Sequence, residues 1–291
     1  MDTNRPQWDL PIETSKTGLM RNIPRKNDEL AGRTFHLAMD DGDHYLLQML
    51  DGELAGWGMV GGPVSTQQTL CMRANEFVWM VTFQSGAMES VTVVLDTLHS
   101  LATVLFATVG AHPGKPRLVD HRFSFGAIAQ PGKPLPAKRH HLSADLVGKK
   151  IAWRYSPTVT ITHIFHTPFS MRSSLHDMQP LPETASREQR EECENRARRW
   201  GAVLFDEPCA YIKINDNLYL VAFIEINRYR VDPEQGGGDL LVLVDTDRVH
   251  DVGRVFGLGP DGKPRLNLLT AHGSFVTAPD PLDSAENPYW L

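Results

Sequence analysis

TVVLDTLHSLATVLFATVGAHPGKPRL at 92–118 and LVLVDTDRVHDVGRVFGLGPDGKPRL at 241–266 are two versions of one segment. With one gap, Asp96-Thr97 falls on Asp245-Thr246, and Gly114-Lys115-Pro116-Arg117-Leu118 falls on Gly262-Lys263-Pro264-Arg265-Leu266. Five consecutive identities in the same strand-turn-strand setting are hard to attribute to chance. Upstream, Leu30-Ala31-Gly32 corresponds to Leu146-Val147-Gly148 at a shorter offset. A long repeat present twice implies two homologous antiparallel β units, because a solenoid needs three or more short repeats.

Around the repeat, short apolar runs alternate with turn residues. TFHLAM and HYLLQML flank Asp40-Asp41-Gly42-Asp43, and an Asp-Gly step between such runs signals a hairpin, since a type I′ turn needs positive φ at both central positions. The pattern predicts strands at roughly 33–39, 44–50, 54–58, 68–74, 77–83, 90–96, 101–109 and 117–128 in the first half. In the second half it predicts strands at roughly 149–155, 159–166, 169–176, 202–206, 209–215, 218–228, 240–246, 252–258 and 266–276. PETASREQREECENRARR (182–199) differs: it lacks β-branched runs, has Pro182 at a first turn and pairs Glu194 with Arg198. It is expected to be a charged surface helix inserted among the strands, capping one barrel end. With about eight strands per unit, closure into a barrel removes exposed edges and leaves room for side chains or one small ligand.

The expected organisation is an arm at 1–28, a first barrel at 29–130, a linker at 131–144, a second barrel at 145–277 and a tail at 278–291. The 291 residues, 41% apolar and 22% charged, suit two ordinary soluble domains. No apolar run reaches the length of a membrane span, and MDTNRPQWDLPIE lacks the basic-then-apolar pattern of a secretory leader. Three separated cysteines, Cys71, Cys193 and Cys209, suggest neither a disulfide framework nor a thiolate zinc site, so a reducing, cytoplasmic setting is expected. Lys and Arg number 29 against 35 Asp and Glu; a net charge of −6 offers no electrostatic reason to bind nucleic acid.

Several motifs dissolve on inspection. Gly257-Leu258-Gly259-Pro260-Asp261-Gly262 matches GxGxxG, but a dinucleotide site needs a helix after the glycines, and Pro260-Asp261-Gly262 is a hairpin turn. His163 and His166 lie three apart on a strand, which puts them on opposite faces and prevents joint chelation. His140-His141 belong to the basic linker KRHH and are expected to be solvated. No metal site is expected.

Polar residues on strands that face a barrel interior are more informative. In LYLVAFIEINRY (218–229), Tyr219, Val221, Phe223, Glu225, Asn227 and Tyr229 share one face, while Leu218, Leu220, Ala222, Ile224 and Ile226 share the other, so both faces look covered. Glu225 is then a carboxyl group among aromatic and apolar neighbours, suited to proton transfer because desolvation favours the protonated form. The alternative for Glu225 is a residue at the strand mouth paired with an arginine. In IAWRYS, Trp153 and Tyr155 share a face, and a buried phenol must find a hydrogen-bond partner, which makes Tyr155 a candidate ligand donor. Arg172 shares a face with Ser170, Ser174 and His176.

The chain resembles the MoaF family, named for molybdenum cofactor biosynthesis protein F. The first half does so through FHLAMDDG (35–42), TLCMRANEFVWMVTF (69–83) and VTVVLD (91–96), and the second through DLVGKKIAWRYS (145–156), HIFH (163–166) and DEPCAYIKINDNLYLVAFIE (206–225). The resemblance implies an all-β fold of two tandem antiparallel lipocalin-like (calycin) barrels. The second half is also similar, more distantly, to phenolic acid decarboxylases, which need no cofactor. There Gly148, Trp153 and Tyr155 match the opening strand, Arg199-Trp200 an arginine-tryptophan pair, and Phe223-Ile224-Glu225 an aromatic-x-Glu motif. That family binds the substrate carboxylate with two tyrosines and handles the proton with Arg and Glu. Here Trp153 replaces the first tyrosine and the segment 182–199 intrudes before Arg199, so the resemblance does not carry carboxylate binding over.

The expected function is that of a cofactor-independent lyase, isomerase or cyclase acting by acid/base catalysis on a small apolar, conjugated or aromatic metabolite in the second barrel. Glu225, Tyr155 and Arg199 are the expected catalytic residues, with Trp153, His163, Arg172, His176, Tyr219 and Phe223 contacting substrate. The alternative is a non-catalytic carrier of a hydrophobic small molecule. Partners are restricted to that ligand and, at most, a second copy in a homodimer, with neither nucleic acid nor membrane. The first-barrel counterpart of Phe223-Ile224-Glu225 is Phe83-Gln84-Ser85, which lacks the acid. Calorimetry with a bound ligand should therefore give a single site per chain, and two equivalent sites would contradict the assignment to one barrel.

Overall fold

The computed structural model describes residues 28–110, 119–156, 159–176, 186–187, 205–226, 238–259 and 261–277. The first eight strands are β1 (Thr34–Met39), β2 (His44–Met49), β3 (Leu54–Met59), β4 (Ser65–Arg73), β5 (Val78–Gly86), β6 (Glu89–Asp96), β7 (Leu101–Val109) and β8 (Val119–Ala129). They form an antiparallel barrel in sequence order, closed by β1 against β8, where Leu37 pairs with Ile128. A two-residue strand β9 (His141–Leu142) leads to β10 (Lys150–Ser156), β11 (Val159–Thr167), β12 (Ser170–His176), β13 (Phe205–Asn215), β14 (Leu218–Ile224), β15 (Gly238–Asp245), β16 (His250–Leu258) and β17 (Pro264–Phe275). Strands β10 to β17 form a second antiparallel barrel, closed through β10–β17 and β12–β13, with β9 added beside β13. The expected all-β pair of tandem barrels is what the chain adopts. The helix expected at 182–199 lies outside the described residues apart from Ser186 and Arg187. No helix among the described residues is long and apolar enough to cross a membrane.

The repeat is an atomic repeat as well. Asp96 Oδ1 accepts from the amides of Leu98 and His99, and Asp245 Oδ1 accepts from those of Asp247 and Arg248. Each following threonine hydroxyl donates to a carbonyl across the turn, Thr97 to Phe77 and Thr246 to Asn217. Each turn ends on a left-handed residue, Ser100 (φ 57°) and Val249 (φ 46°). Gly32 and Gly148, at φ 76° and 84°, likewise close matching turns in which their amides donate to Met49 and Phe165.

Two strands depart from the expected bounds. The runs at 202–206 and 209–215 are not separate: β13 continues through Pro208. Its first half pairs with β12 (Ser170 opposite Pro208) and its second half with β14, so the proline falls at the change of partner. Strand β14 stops at Ile224, short of the expected 228.

Inward side chains such as Phe35, Leu37, Leu47, Trp79 and Phe83 fill the first barrel. Ile151, Trp153, Phe165, Tyr211 and Phe223 do so in the second. A third cluster lies between the barrels. It joins Met72, Val78, Met80, Val94 and Leu105 from the outer face of the first to Ile212, Leu220, Leu241, Leu243 and Phe256 from the outer face of the second. This explains why β14 and β15 are buried along their whole length and read as unbroken apolar runs, while β2 alternates.

One polar cluster crosses that interface. Arg254, fully buried, donates to the Asp239 carboxylate at 2.6 Å, to the Asp239 carbonyl at 2.6 Å and to Thr92 Oγ1 of the first barrel at 3.1 Å. His121 of the first barrel lies 2.7 Å from the other Asp239 carboxylate oxygen. Burial pushes the Asp239 carboxyl up, but Arg254 and His121 outweigh it and hold it below its ordinary value. The linker adds a further clamp. His140 is not solvated as expected: it is 1% exposed, with Nδ1 2.8 Å from Thr103 of the first barrel, while His141 pairs with Lys213 of the second. Burial brings the His140 pKa down to about 4.

Removing one member of a buried ion pair strands the other charge. Asp239→Ala should cost about 3–5 kcal/mol in urea unfolding. The double change Asp239→Leu with Arg254→Met should recover most of that loss.

Candidate active site in the second barrel

Strand β10 turns Ile151, Trp153 and Tyr155 inward. The Trp153 indole lies against β17 at Gly273, where a Cβ would come within 2.6 Å of Trp153 Cε3, so only glycine admits the ring. Across β17 lies β16, whose alternation sends Val252, Arg254 and Phe256 toward the interface and Asp251 and Val255 toward the interior. Asp251 is fully buried. Its Oδ2 accepts from the Tyr155 hydroxyl at 3.0 Å and its Oδ1 from the Ala271 amide at 2.5 Å.

Burial raises the Asp251 carboxyl to a pKa of about 7, against the opposing pull of these two hydrogen bonds. Burial, and then the Asp251 charge, push the Tyr155 phenol well above its ordinary value. A carboxyl group that is half-ionised near neutrality beside a phenol donor can both take and return a proton.

On β11, Ile161, His163 and Phe165 face inward and His166 is exposed, as their spacing predicts. The His163 ring sits 6.5 Å from Trp153 and 5.8 Å from Phe223 between centroids, edge-on to both. Burial lowers its pKa to about 4, so it is a neutral imidazole at physiological pH. Trp153 Nε1 is buried without a hydrogen-bond partner, an arrangement that costs about 1–3 kcal/mol for a typical donor.

Phe223 ends the inward row of β14, and Glu225 follows it, 9% exposed, with its amide bonded to the Gly238 carbonyl. Glycine at 238 leaves space beside the carboxylate: a Cβ there would lie 3.4 Å from Glu225 Oε2. A second carboxyl group is close by. Glu207 of β13, 1% exposed, accepts from the Ile226 amide at 2.7 Å, one ladder step beyond the Cys209–Phe223 pair.

The structure thus gathers Trp153, Tyr155, His163 and Phe223 inside one barrel, with Glu225 at the end of the Phe223 strand. It does not bring Arg172 to them. Met171 is the inward residue of β12, and Arg172, on the other face, donates to Asp206 at 2.6 Å. Tyr219 buries its ring in the same core, but its hydroxyl is tied to Asp145 and the Asp216 carbonyl. It stands six residues from Glu225 on the strand, about 20 Å at strand rise. His176 pairs through its backbone with Thr160, and its side chain lies outside the described residues, as does Arg199.

Asp251 and Glu207 were not expected. The repeat held a signal for the first: the Asp96–Asp245 correspondence places Asp251 opposite Ala102, a small residue buried inside the first barrel. An acid in one copy where the other keeps alanine marks a departure from packing alone. Among the described residues, no group of three or more His, Cys, Asp or Glu could hold a metal ion.

Residues 7–111 match the family model for the MoaF N-terminal domain. That match takes in β1 to β7 of the first barrel, so the Tyr155–Asp251 pair lies beyond the matched residues. A solved chain described as "Crystal Structure of a putative beta-lactamase from Burkholderia vietnamiensis" is similar at 18% identity, over 36% of this chain and 98% of that one, with a TM-score of 0.29. Comparison with curated proteins gives no match.

The Asp251 carboxyl has a folded pKa of about 7 against an ordinary 3.8, so the folded state holds the extra proton between those values. Its contribution to stability is therefore full below 3.8 and is lost as pH rises through about 7. Melting temperatures of wild type and Asp251→Asn, compared from about pH 5 to 8.5, should show the wild type declining relative to the variant as pH rises.

Proposed function

We infer that the second barrel is a cofactor-independent acid/base site, of the lyase, isomerase or cyclase kind, for a small, largely apolar, conjugated or aromatic molecule. The observation that carries this reading is the fully buried Asp251, poised near neutrality and hydrogen-bonded to Tyr155. The direction of that bond defines a relay. Tyr155 Oη takes a proton from the substrate as its own proton passes to Asp251, and the reverse transfer returns it. Burial in an apolar barrel excludes competing water and strengthens each electrostatic contact. Glu225, beside Phe223, supplies a second carboxyl group for the proton that must arrive or leave at another substrate atom. The aromatic surfaces of Trp153 and Phe223 suit a planar substrate.

With Asp251 as the base, kcat/KM should rise with pH through an apparent pKa near 7, and this limb should vanish in Asp251→Asn. Asp251→Asn and Tyr155→Phe should each lower kcat by about 10²-fold or more, and Glu225→Gln should reduce it too. Variants that all turn over the natural substrate at the wild-type rate would sink the assignment. A stoichiometric lipophile released unchanged from the denatured protein, without turnover, would make the barrel a carrier instead.

A further inference from the structure

Two polar groups inside the second barrel are not used by the Tyr155–Asp251 relay. The indole N–H of the fully buried Trp153 has no hydrogen-bond partner. The buried His163 ring lies edge-on to Trp153 and to Phe223. Trp153 and Tyr155 are two residues apart on the inward face of β10, about 7 Å at strand rise, so a single small molecule can touch both. Buried donors are nearly always satisfied, and an indole can only donate, so the missing group is a hydrogen-bond acceptor.

Charge decides which acceptor. Among the described residues, Arg154, between Trp153 and Tyr155 on β10, is exposed on the opposite face of the strand, Arg172 donates to Asp206 on the outer face, and Arg254 donates to Asp239 in the interface. His163 is uncharged at neutral pH because burial disfavours its cation. A carboxylate placed beside Trp153 would meet Asp251 without a described cation, and an unpaired buried anion is strongly disfavoured.

We propose that the second barrel takes a neutral conjugated carbonyl compound, a ketone, aldehyde or lactone, whose oxygen accepts from Trp153 Nε1, and discriminates against the corresponding carboxylate. His163 then offers a polar contact to a hydroxyl on the same molecule. The proposal rests on the reading of this barrel as the ligand site, but it concerns binding and makes no use of turnover.

Benzalacetone and cinnamate share a skeleton and differ in ending as a methyl ketone or a carboxylate. Both are titrated into the full chain by calorimetry, with tryptophan fluorescence as a second readout. The ketone should bind at least about tenfold more tightly than cinnamate near pH 7.5. Trp153→Phe, which keeps an aromatic wall and removes the donor, should weaken the ketone at least about fivefold and leave cinnamate unchanged. Equal or tighter binding of cinnamate, no binding of the ketone, or wild-type ketone affinity in a folded Trp153→Phe protein would each overturn the proposal. Wild-type selectivity decides the matter even if the variant does not fold. Loss of the catalytic reading through an unaffected Asp251→Asn enzyme would leave the ketone preference standing, so the two failures are distinguishable.

Discussion

The apolar face shared by the two barrels is the constraint on which the rest of the molecule depends. Strands β14 and β15 bury one face in the second barrel and the other against the first, so each of their residues answers to two cores at once. Within that face the Asp239–Arg254 pair, with Thr92 and His121 reaching in from the first barrel, is costly to desolvate and costly to break. Such a pair fixes register: a slide of one barrel over the other would leave a guanidinium in an apolar layer without its carboxylate. The linker reinforces this by giving His140 to the first barrel and His141–Leu142 to the second.

The interface also prepares the interior. Strand β16 alternates between two jobs: Arg254 serves the interface on one side, and Asp251, three residues earlier, faces the barrel interior on the other. Packing behind the strand keeps this carboxyl group buried, with Tyr155 and the Ala271 amide as its donors among the described residues. The repeat shows how such a site arises without disturbing the fold. Turns capped by Asp96 and Asp245 are the same in both barrels, while the side chains that differ, Ala102 against Asp251 and Leu105 against Arg254, fall at matching ladder positions. One copy keeps apolar residues there and the other carries ionisable ones.

Much of the architecture was legible in the chain because it rests on local rules. Alternation, Asp-Gly turns and the duplicated segment point to seventeen strands, and sixteen barrel strands form because the runs at 202–206 and 209–215 join in β13, with a short β9 added. The one break placed wrongly, at Pro208, fell where a strand changes partners, and partner change is not a local property. The site was legible only in part. Trp153 and Tyr155 announce themselves as inward aromatics two residues apart, and Phe223 by its place in the alternation of β14. Arg172 looked equivalent, yet the parity of β12 is set by which face Met171 buries, and the sequence pattern of SMRSSLH does not decide between the two.

Strand order, turn chemistry and the existence of two related barrels were determined by sequence alone, since each follows from the period-two pattern and from residues that suit particular turns. Tertiary structure alone decided that His140 is buried, that Arg172 points away, and that Asp251 meets Tyr155. These are matters of what lies opposite a side chain after the sheet has closed. Tyr155 and Asp251 are 96 residues apart in the chain and 3.0 Å apart in the barrel. Only barrel closure through β10 and β17 brings them together, and only the surrounding apolar core shifts the carboxyl toward neutrality.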